Sequence, residues 1–212
     1  MKRKGSDHKE EENDEKRSRF TSSTLSLLPG STKPIPPTGS SLLESPSMLL
    51  SGHLGAVSSV AFDSSGDLLV SGSKDNGLFI WNLRNGCSND FLLRGHTNAI
   101  TDCAWLMPES GSTQGGKVIS SSADKTVSVW DAETGERIQI MKSASNKVIN
   151  AISPVRQRMF EFASVGDDGL LKIWDARTKR CSISHEGSGA SPLLSVASAE
   201  NSFDIFVAGT EG

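Results

Sequence analysis

One spacing recurs three times in the chain and constrains the fold more than any other feature. In each copy a Ser lies four residues before an Asp, and that Asp lies six residues before a Trp. The three copies occupy residues 71–82, 120–131 and 164–175. A motif that returns about every 40 to 50 residues predicts a repeat architecture, in which each copy is one structural unit.

The residues around each copy predict four short antiparallel strands per unit. Thr126 to Val129 alternate polar and apolar side chains, which is the period of a strand. The predicted first strands span 57–62, 99–105 and 147–152, and the second strands span 67–71, 117–121 and 160–164. The third strands span 77–82, 126–130 and 170–174, and the fourth span 89–93, 136–140 and 180–184. Four-stranded units of this length repeat as the blades of a β-propeller, so the predicted fold class is all-β.

The chain divides into a tail and a repeat domain. Residues 1–46 combine basic and acidic runs with a Ser/Pro-rich stretch, and this composition predicts disorder. Residues 47–212 are predicted to form a partial propeller with blades at about 51–93, 94–140, 142–184 and 190–212. Met48, Leu49 and Leu50 are predicted to form a short strand, and residues 108–116 contain a six-residue loop insertion.

Two basic clusters in the tail match a bipartite nuclear import signal, with Lys2, Arg3 and Lys4 in one and Lys16, Arg17 and Arg19 in the other. The alternative is a solvated tail of mixed charge, because the intervening acidic residues partly cancel the field of the clusters. The import interpretation predicts a nuclear protein.

Composition narrows the classes of partner. The net charge of −3 gives no general attraction to nucleic acid, and no apolar run approaches the length of a membrane-spanning helix. Cys87, Cys103 and Cys181 are odd in number and form no metal-spaced pair, which predicts reduced thiols in the nucleus or cytosol. We therefore expect no cofactor, no metal, no membrane and no small-molecule substrate.

The repeated residues resemble the WD-repeat (WD40) family. The resemblance rests on the Gly52-His53 and Gly95-His96 pairs and on the three Asp-to-Trp spacings, and it covers about residues 48–212. It implies a hydrogen-bonded set of His, Ser, Asp and Trp in each blade. The implied sets are His53, Ser71, Asp75 and Trp81, then His96, Ser120, Asp124 and Trp130, then Ser164, Asp168 and Trp174.

Two expectations follow from these sets. The third blade has Ala144 where the histidine belongs, so we expect it to be the least rigid. The combination of Ser, His and Asp also occurs in hydrolases, but catalytic triads occur once, in a cleft with an oxyanion hole. Because this set recurs in successive blades, it predicts a structural role and a protein that is not an enzyme.

Within the WD-repeat family, residues 122–137 and 165–177 are most similar to WD-repeat subunits of the U5 small nuclear ribonucleoprotein. That resemblance implies a seven-bladed scaffold in pre-mRNA splicing, bound to the large central spliceosomal protein and meeting RNA only indirectly. In each blade the Asp of the repeated spacing is predicted to lie in the turn between the second and third strands. The residues beside this turn Asp are predicted to lie on one face of the propeller, where they are candidate partner contacts or, alternatively, ordinary solvated turn residues. They are Lys74, Asn76, Lys125 and Asp167.

Two other functions stay open. The sequence from Trp174 to Arg177 resembles the Trp-Asp-x-Arg pattern with which substrate receptors of cullin-type ubiquitin ligases dock an adaptor, and Arg177 is the candidate contact. The other is a generic signalling or assembly propeller.

Three blades and half of a fourth are recognisable, so we expect a truncated chain whose unpaired edges make it poorly soluble or oligomeric when expressed alone.

Overall fold

The computed structural model describes residues 49–84, 86–106, 116–142, 147–178, 180–186, 191–200 and 202–210. Within these ranges the chain forms fourteen strands and no helix. The strands are β1 (Val57–Phe62), β2 (Leu68–Ser73), β3 (Gly77–Asn82), β4 (Ser88–Arg94), β5 (Ile100–Leu106), β6 (Lys117–Ser122), β7 (Thr126–Asp131), β8 (Arg137–Lys142), β9 (Ile149–Pro154), β10 (Glu161–Gly166), β11 (Leu170–Asp175), β12 (Arg180–Glu186), β13 (Leu193–Ser198) and β14 (Ile205–Gly209).

The strands form four antiparallel sheets in chain order, which confirms the predicted all-β fold class. Strands β1–β4, β5–β8 and β9–β12 make three four-stranded blades, and β13 pairs with β14 in a fourth sheet. The predicted tail, both basic clusters, Ser143, Ala144 and all but the last residue of the 108–116 loop lie outside the described residues.

The strand predicted at residues 48–50 is wrong for the two residues that the structure describes. Leu49 and Leu50 are not in a strand, and none of the described strands pairs with them. Strand geometry is stable only when a neighbour accepts and donates the backbone hydrogen bonds, so two apolar residues without such a neighbour do not form a strand.

A register irregularity precedes the Trp of every complete blade. The pairing of the third and fourth strands shifts between Ile80 and Trp81, between Val129 and Trp130, and at the same position in the third blade. A bulge bends the strand and redirects the side chain that follows it. The indole groups of Trp81, Trp130 and Trp174 are all buried.

The hydrophobic core lies in slabs between consecutive blades rather than in one centre. Val70, Leu78 and Ile80 of the first blade pack with Trp130 and other residues of the second. A second slab joins the second and third blades, and a smaller one joins β9 and β10 to Val196 of β13. Burial of apolar side chains between sheets is thus the main force that stacks the blades.

Side-chain hydrogen bonds also join the first strands of consecutive blades. Ser58 donates to the carbonyl oxygen of Ile100 at 2.6 Å, and Thr101 donates to that of Ile149 at 2.7 Å. Asn150 donates to the carbonyl oxygen of Leu193 at 2.9 Å. Each donor is the second residue of a first strand, and each acceptor opens the next one, so the same bond recurs at three blade junctions.

The carboxylate of Asp102 binds both neighbouring blades at once. It accepts a hydrogen bond from the Ser59 hydroxyl of the first blade at 2.7 Å and one from the Ile152 amide of the third blade at 3.0 Å. Burial raises the pKa of Asp102, although these hydrogen bonds oppose the rise. Asp102 therefore connects three blades through one side chain.

Among the residues that the structure describes, none belongs to a helix with the length and apolar character needed to cross a bilayer.

Candidate functional site: the blade tetrads and the turn face

The first blade assembles His53, Ser71, Asp75 and Trp81 into one hydrogen-bonded chain. The Trp81 indole N–H donates to the Ser71 hydroxyl oxygen at 2.9 Å, and that hydroxyl lies 2.8 Å from Nε2 of His53. Nδ1 of His53 donates to the Asp75 carboxylate at 3.1 Å. Asp75 also accepts from the Leu54 amide at 2.7 Å, so the chain runs from the core to the loop before β1.

The second blade repeats this arrangement with His96, Ser120, Asp124 and Trp130. Trp130 donates to Ser120 at 2.8 Å, Ser120 lies 2.9 Å from Nε2 of His96, and Nδ1 of His96 donates to Asp124 at 2.8 Å. Thr126 adds a further bond, because its hydroxyl donates to Asp124 at 2.6 Å. The side chains of His96 and Asp124 are only 1% and 8% exposed, and Ser120 and Trp130 are buried.

Electrostatics fix the protonation of the second tetrad. Burial lowers the pKa of His96, and the nearby Asp124 carboxylate only partly offsets this effect. Burial would raise the pKa of Asp124, but hydrogen bonds from Thr126, His96 and the Thr97 amide outweigh it and lower that pKa. At neutral pH the pair is therefore a carboxylate and a neutral imidazole that is protonated on Nδ1.

This protonation gives the Ser120 hydroxyl a structural role. Neutral His96 presents the lone pair of Nε2, so the Ser120 hydroxyl donates to it while its oxygen accepts the Trp130 indole N–H. Ser120 has no exposed surface. The Ser120 hydroxyl is hydrogen-bonded to both His96 and Trp130 and is shielded from solvent. This arrangement is typical of a structural network that orders the blade, and it does not present the hydroxyl as a nucleophile.

The third blade replaces the histidine with a buried lysine. Trp174 donates to Ser164 at 2.8 Å, as in the other blades, and Asp168 accepts from the Leu170 amide at 3.2 Å. The ammonium group of Lys172 lies 2.7 Å from the Asp168 carboxylate. Lys172 is only 5% exposed. Its ammonium group binds Asp168 in the third blade, as the histidine N–H binds the turn Asp in the other two blades.

The residue that pairs with the tetrad Ser in the neighbouring strand is different in each of the three blades. In the register of the second and third strands, Ser71 pairs with Phe79, Ser120 pairs with Ser128, and Ser164 pairs with Lys172. Phe79 packs its ring against His53, with a centroid distance of 4.6 Å. The tetrad is therefore backed by an aromatic ring, a small hydroxyl or an ammonium group, depending on the blade.

The candidate contacts beside the turn Asp lie in different environments. Lys74 and Lys125 are exposed, and Lys125 and Asn76 have positive φ angles of 72° and 68° at their turns. The Asp167 side chain accepts a hydrogen bond from the Asn150 amide at 2.8 Å and is half-buried. The two lysines thus present free surface at this face, whereas Asp167 supports the start of β9.

Arg177 lies at the opposite end of the third blade and is held within its own blade. Its Nε and Nη2 atoms donate to the Asp175 carboxylate at 3.2 and 3.1 Å, and its guanidinium lies 4.7 Å from the centroid of the Phe160 ring. The side chain is nevertheless 62% exposed. These contacts hold the guanidinium against the end of its own blade. The hydrogen bonds from Arg177 also lower the pKa of Asp175.

The repeat sequences match a known family. A family model described as "WD domain, G-beta repeat" matches residues 44–82 and 87–131, which together contain the first two tetrads. The chain contains WD repeats. Its third blade carries the same Ser, Asp and Trp geometry beyond the matched residues.

Relatives of this WD-repeat protein include U5 small nuclear ribonucleoprotein 40 kDa proteins and a pre-mRNA-splicing factor. It is 33% identical over 171 residues to the U5 small nuclear ribonucleoprotein 40 kDa protein of Dictyostelium discoideum, covering 81% of this chain and 46% of that protein. It is 32% identical over 170 residues to the pre-mRNA-splicing factor cwf17 of Schizosaccharomyces pombe, covering 80% of this chain and 47% of that protein. The human U5 small nuclear ribonucleoprotein 40 kDa protein is 36% identical to this chain over 151 residues. The match covers 71% of this chain and 40% of the human protein. The chain thus spans just under half the length of these curated relatives.

Sequence reasoning missed three residues that shape the WD-repeat scaffold. Lys172 has a sequence signal, because a lysine two residues before the Trp stands where the other blades have Phe79 and Ser128. Asp102 and Trp105 have none, since their partners lie in other blades. The Trp105 indole donates to the Ala61 carbonyl oxygen of the first blade at 3.0 Å.

Proposed function

We propose that this WD-repeat protein is a non-catalytic scaffold in pre-mRNA splicing and a component of the U5 small nuclear ribonucleoprotein. The observation that carries the proposal is its identity of about one third, over four fifths of the chain, to one relative named as a U5 small nuclear ribonucleoprotein protein and one named as a pre-mRNA-splicing factor. The matched part of this chain covers 46% and 47% of these relatives, so the role of the whole protein is part of the proposal.

The geometry supports a scaffold more than a catalyst. The Ser, His and Asp groups that resemble a catalytic triad are hydrogen-bonded within the blade network, and the Ser hydroxyls are buried. Stacked blades joined by apolar slabs and side-chain hydrogen bonds make a rigid body whose surface is available to partners. A protein of this kind acts by holding other proteins in position.

The proposed partner is the large central protein of the spliceosome, and the proposed compartment is the nucleus. The exposed Lys74 and Lys125 lie on the same turn face and offer it positive charge. Contact with RNA is proposed to be indirect, since the net charge of −3 gives no general attraction to a polyanion.

Affinity purification from nuclear extract tests this proposal. The tagged full chain is expected to recover U5 proteins together with U5 RNA, and nuclease treatment should remove the RNA while the proteins remain. A double variant, Lys74→Glu with Lys125→Glu, should recover less of the large protein. The matched control is Arg84→Glu, an exposed charge reversal beyond the end of β3. Recovery of no spliceosomal protein, or loss of all proteins with the RNA, would contradict the proposal.

The ubiquitin-ligase alternative has no specific observation in its favour. Arg177, the residue that would dock the adaptor, is engaged by Asp175 and lies against Phe160. Binding of the adaptor to the wild-type chain and its loss in Arg177→Ala would revive that alternative.

A further inference from the structure

The loop before the first strand, the turn between the second and third strands and the end of the fourth strand meet at one end of each blade. We call this end the turn face. In the first blade the Leu54 amide of the loop donates to the turn residue Asp75 at 2.7 Å. Arg94, at the end of β4, pairs with Gly77 next to the same turn. The side chains of three separate segments are thus presented together.

The second blade has an equivalent turn face on the same side of the molecule. Its Thr97 amide donates to the turn residue Asp124 at 3.0 Å, and Lys142 ends β8 beside that turn. The hydrogen bond from Ser58 to the carbonyl oxygen of Ile100 places the starts of β1 and β5 next to each other. The turn faces of the first two blades therefore adjoin.

Each of these two turn faces presents two exposed cations and one turn carboxylate. The cations are Lys74, Arg94, Lys125 and Lys142. No carboxylate in the described part of the chain lies within ion-pair distance of any of the four. The turn carboxylates of Asp75 and Asp124 accept hydrogen bonds within their own blades, and their side chains are only 18% and 8% exposed. The outermost charge of this surface is therefore positive.

The opposite end of the blades has a different arrangement of charge. Four exposed arginines there form ion pairs with carboxylates of the same end. The pairs are Arg84–Asp67, Arg156–Glu200, Arg158–Glu161 and Arg177–Asp175. A cation that is already paired attracts an outside carboxylate less than an unpaired one does, so an acidic ligand is directed to the turn face.

An apolar side chain projects from this cationic surface. Leu54 is 93% exposed, yet its amide is fixed by Asp75, and a Cβ on the following Gly55 would lie 2.9 Å from the Asp75 amide nitrogen. Its counterpart Thr97 is also exposed, although the second blade has a blade packed on either side. The exposure of Leu54 is therefore a property of the turn face. A leucine on a fixed backbone loses little conformational freedom when a partner covers it.

We propose that the turn face of the first two blades binds an acidic segment of a protein partner, and that a bulky apolar side chain of this segment packs on Leu54. Carboxylates of the segment would pair with the ammonium groups of Lys74 and Lys125. This inference deepens the proposed scaffold function and rests on it.

The composition of the turn face favours a protein segment over RNA. Single-stranded nucleic acid is held largely by bases stacked on aromatic side chains. The exposed aromatic side chains among the described residues lie away from the turn end of their strands. They are Phe62, Phe203 and Phe206. Leu54 offers an apolar contact to a side chain and no ring on which a base could stack.

Fluorescence anisotropy with the purified full chain and a labelled synthetic peptide tests the proposal. The peptide carries one leucine with two glutamates on each side, between flanks of glycine and serine. We expect saturable binding at low salt that weakens as salt is added, falls when the leucine becomes serine and disappears when the glutamates become glutamines. Equal binding of the glutamine peptide, or no binding of the glutamate peptide, would overturn the proposal.

Charge variants locate the binding on the protein. Lys74→Gln with Lys125→Gln should weaken peptide binding about fivefold at low salt. The matched control is Arg84→Gln with Arg180→Gln, which removes the same number of exposed positive charges from the opposite end of the blades. Equal losses in the two double variants would show that only net charge matters and would refute the assignment.

Apolar variants test the role of Leu54 and separate a protein ligand from RNA. Leu54→Ser should weaken peptide binding about fivefold. The control Ile183→Ser, which removes a 51% exposed side chain from β12, should leave it unchanged. Unchanged binding in Leu54→Ser would contradict the apolar contact. Tighter binding of a labelled oligouridine than of the peptide, equal in Leu54→Ser and wild type, would overturn the proposal in favour of RNA.

The peptide assay contains only purified components, so its failure is distinguishable from failure of the proposed function. Absent peptide binding with normal recovery of U5 proteins from nuclear extract would contradict the turn-face assignment alone. Peptide binding as expected, with no spliceosomal protein recovered, would contradict the proposed function alone.

Discussion

The ammonium group of Lys172 lies 2.7 Å from the carboxylate of Asp168, in the one complete blade whose sequence lacks the Gly-His pair. The side chains of both residues are largely buried. A buried ion pair is sensitive to the loss of one partner, because the remaining charge stays in a poorly solvated site.

We therefore expect Lys172→Met to lower the free energy of unfolding by roughly 3 kcal/mol. Urea denaturation measures this loss. The double variant Lys172→Met with Asp168→Asn should recover part of it, because the uncompensated carboxylate is removed. A single variant as stable as the wild type would show that the pair contributes nothing.

The same ion pair bears on the expectation that the third blade is the least rigid. If Lys172 compensates for the missing histidine, the amide groups of β10 and β11 should exchange with solvent as slowly as those of β6 and β7. Hydrogen exchange compares these strands within one sample. Markedly faster exchange in β10 and β11 would support the original expectation.

The second tetrad predicts a pH dependence of stability. Because folding lowers the pKa of His96, the unfolded chain binds a proton near the ordinary value of 6.5 while the folded chain resists it. The stabilisation is complete above pH 6.5 and is lost as the pH falls through the lower folded pKa. In urea denaturation between pH 7.5 and 4.5, His96→Asn should be less stable throughout and should show a shallower slope below about pH 6.5. An unchanged slope would contradict the assignment.

Asp102 predicts a coupling between three blades. Asp102→Ala removes the acceptor of the Ile152 amide and of the Ser59 hydroxyl, so it should cost roughly 2 to 3 kcal/mol. Asp102→Asn keeps one acceptor oxygen and should cost less. The specific readout is the exchange rate of the Ile152 amide, which lies in another blade and should accelerate in Asp102→Ala. Acceleration confined to β5 would argue against the coupling.

The repeated bond between first strands predicts the effect of an isosteric substitution. Thr101→Val keeps the shape of the side chain but leaves the Ile149 carbonyl oxygen without its donor, so we expect a loss of roughly 1 kcal/mol. Ser58→Ala should cost a similar amount at the preceding junction. Thermal unfolding of both variants measures these losses, and a stability equal to that of the wild type in both would show that the bonds are incidental.

The sequence predicted what lies within a blade far better than what lies between blades. Ser71, Asp75 and Trp81 fall at fixed offsets around one turn, so their spacing places them together whatever surrounds the blade. The bonds from Asp102 to Ser59 and Ile152 join residues 43 and 50 positions apart in different blades. No repeat spacing specifies such pairs, because they depend on how the sheets stack.

The correspondence between Asn89 of β4 and Arg137 of β8 was hidden from the sequence for a related reason. Asn89 and Arg137 are recognised as counterparts only once the strand register is known, because a bulge displaces each of them relative to its Trp. Leu49 and Leu50 illustrate the opposite error, since their apolar character suggested a strand that no described neighbour supports.

The bonds of Asp102 also bear on how such a gene can change. A repeat protein grows and shrinks by copying or deleting whole units, which requires that any unit accept any neighbour. Because Asp102 needs Ser59 on one side and the Ile152 amide on the other, a unit inserted next to the second blade would separate it from a partner. The Ile152 partner is a backbone amide that any blade could supply, whereas the Ser59 partner is a side chain, so a unit inserted before the second blade is expected to lower stability through the loss of the Ser59 bond.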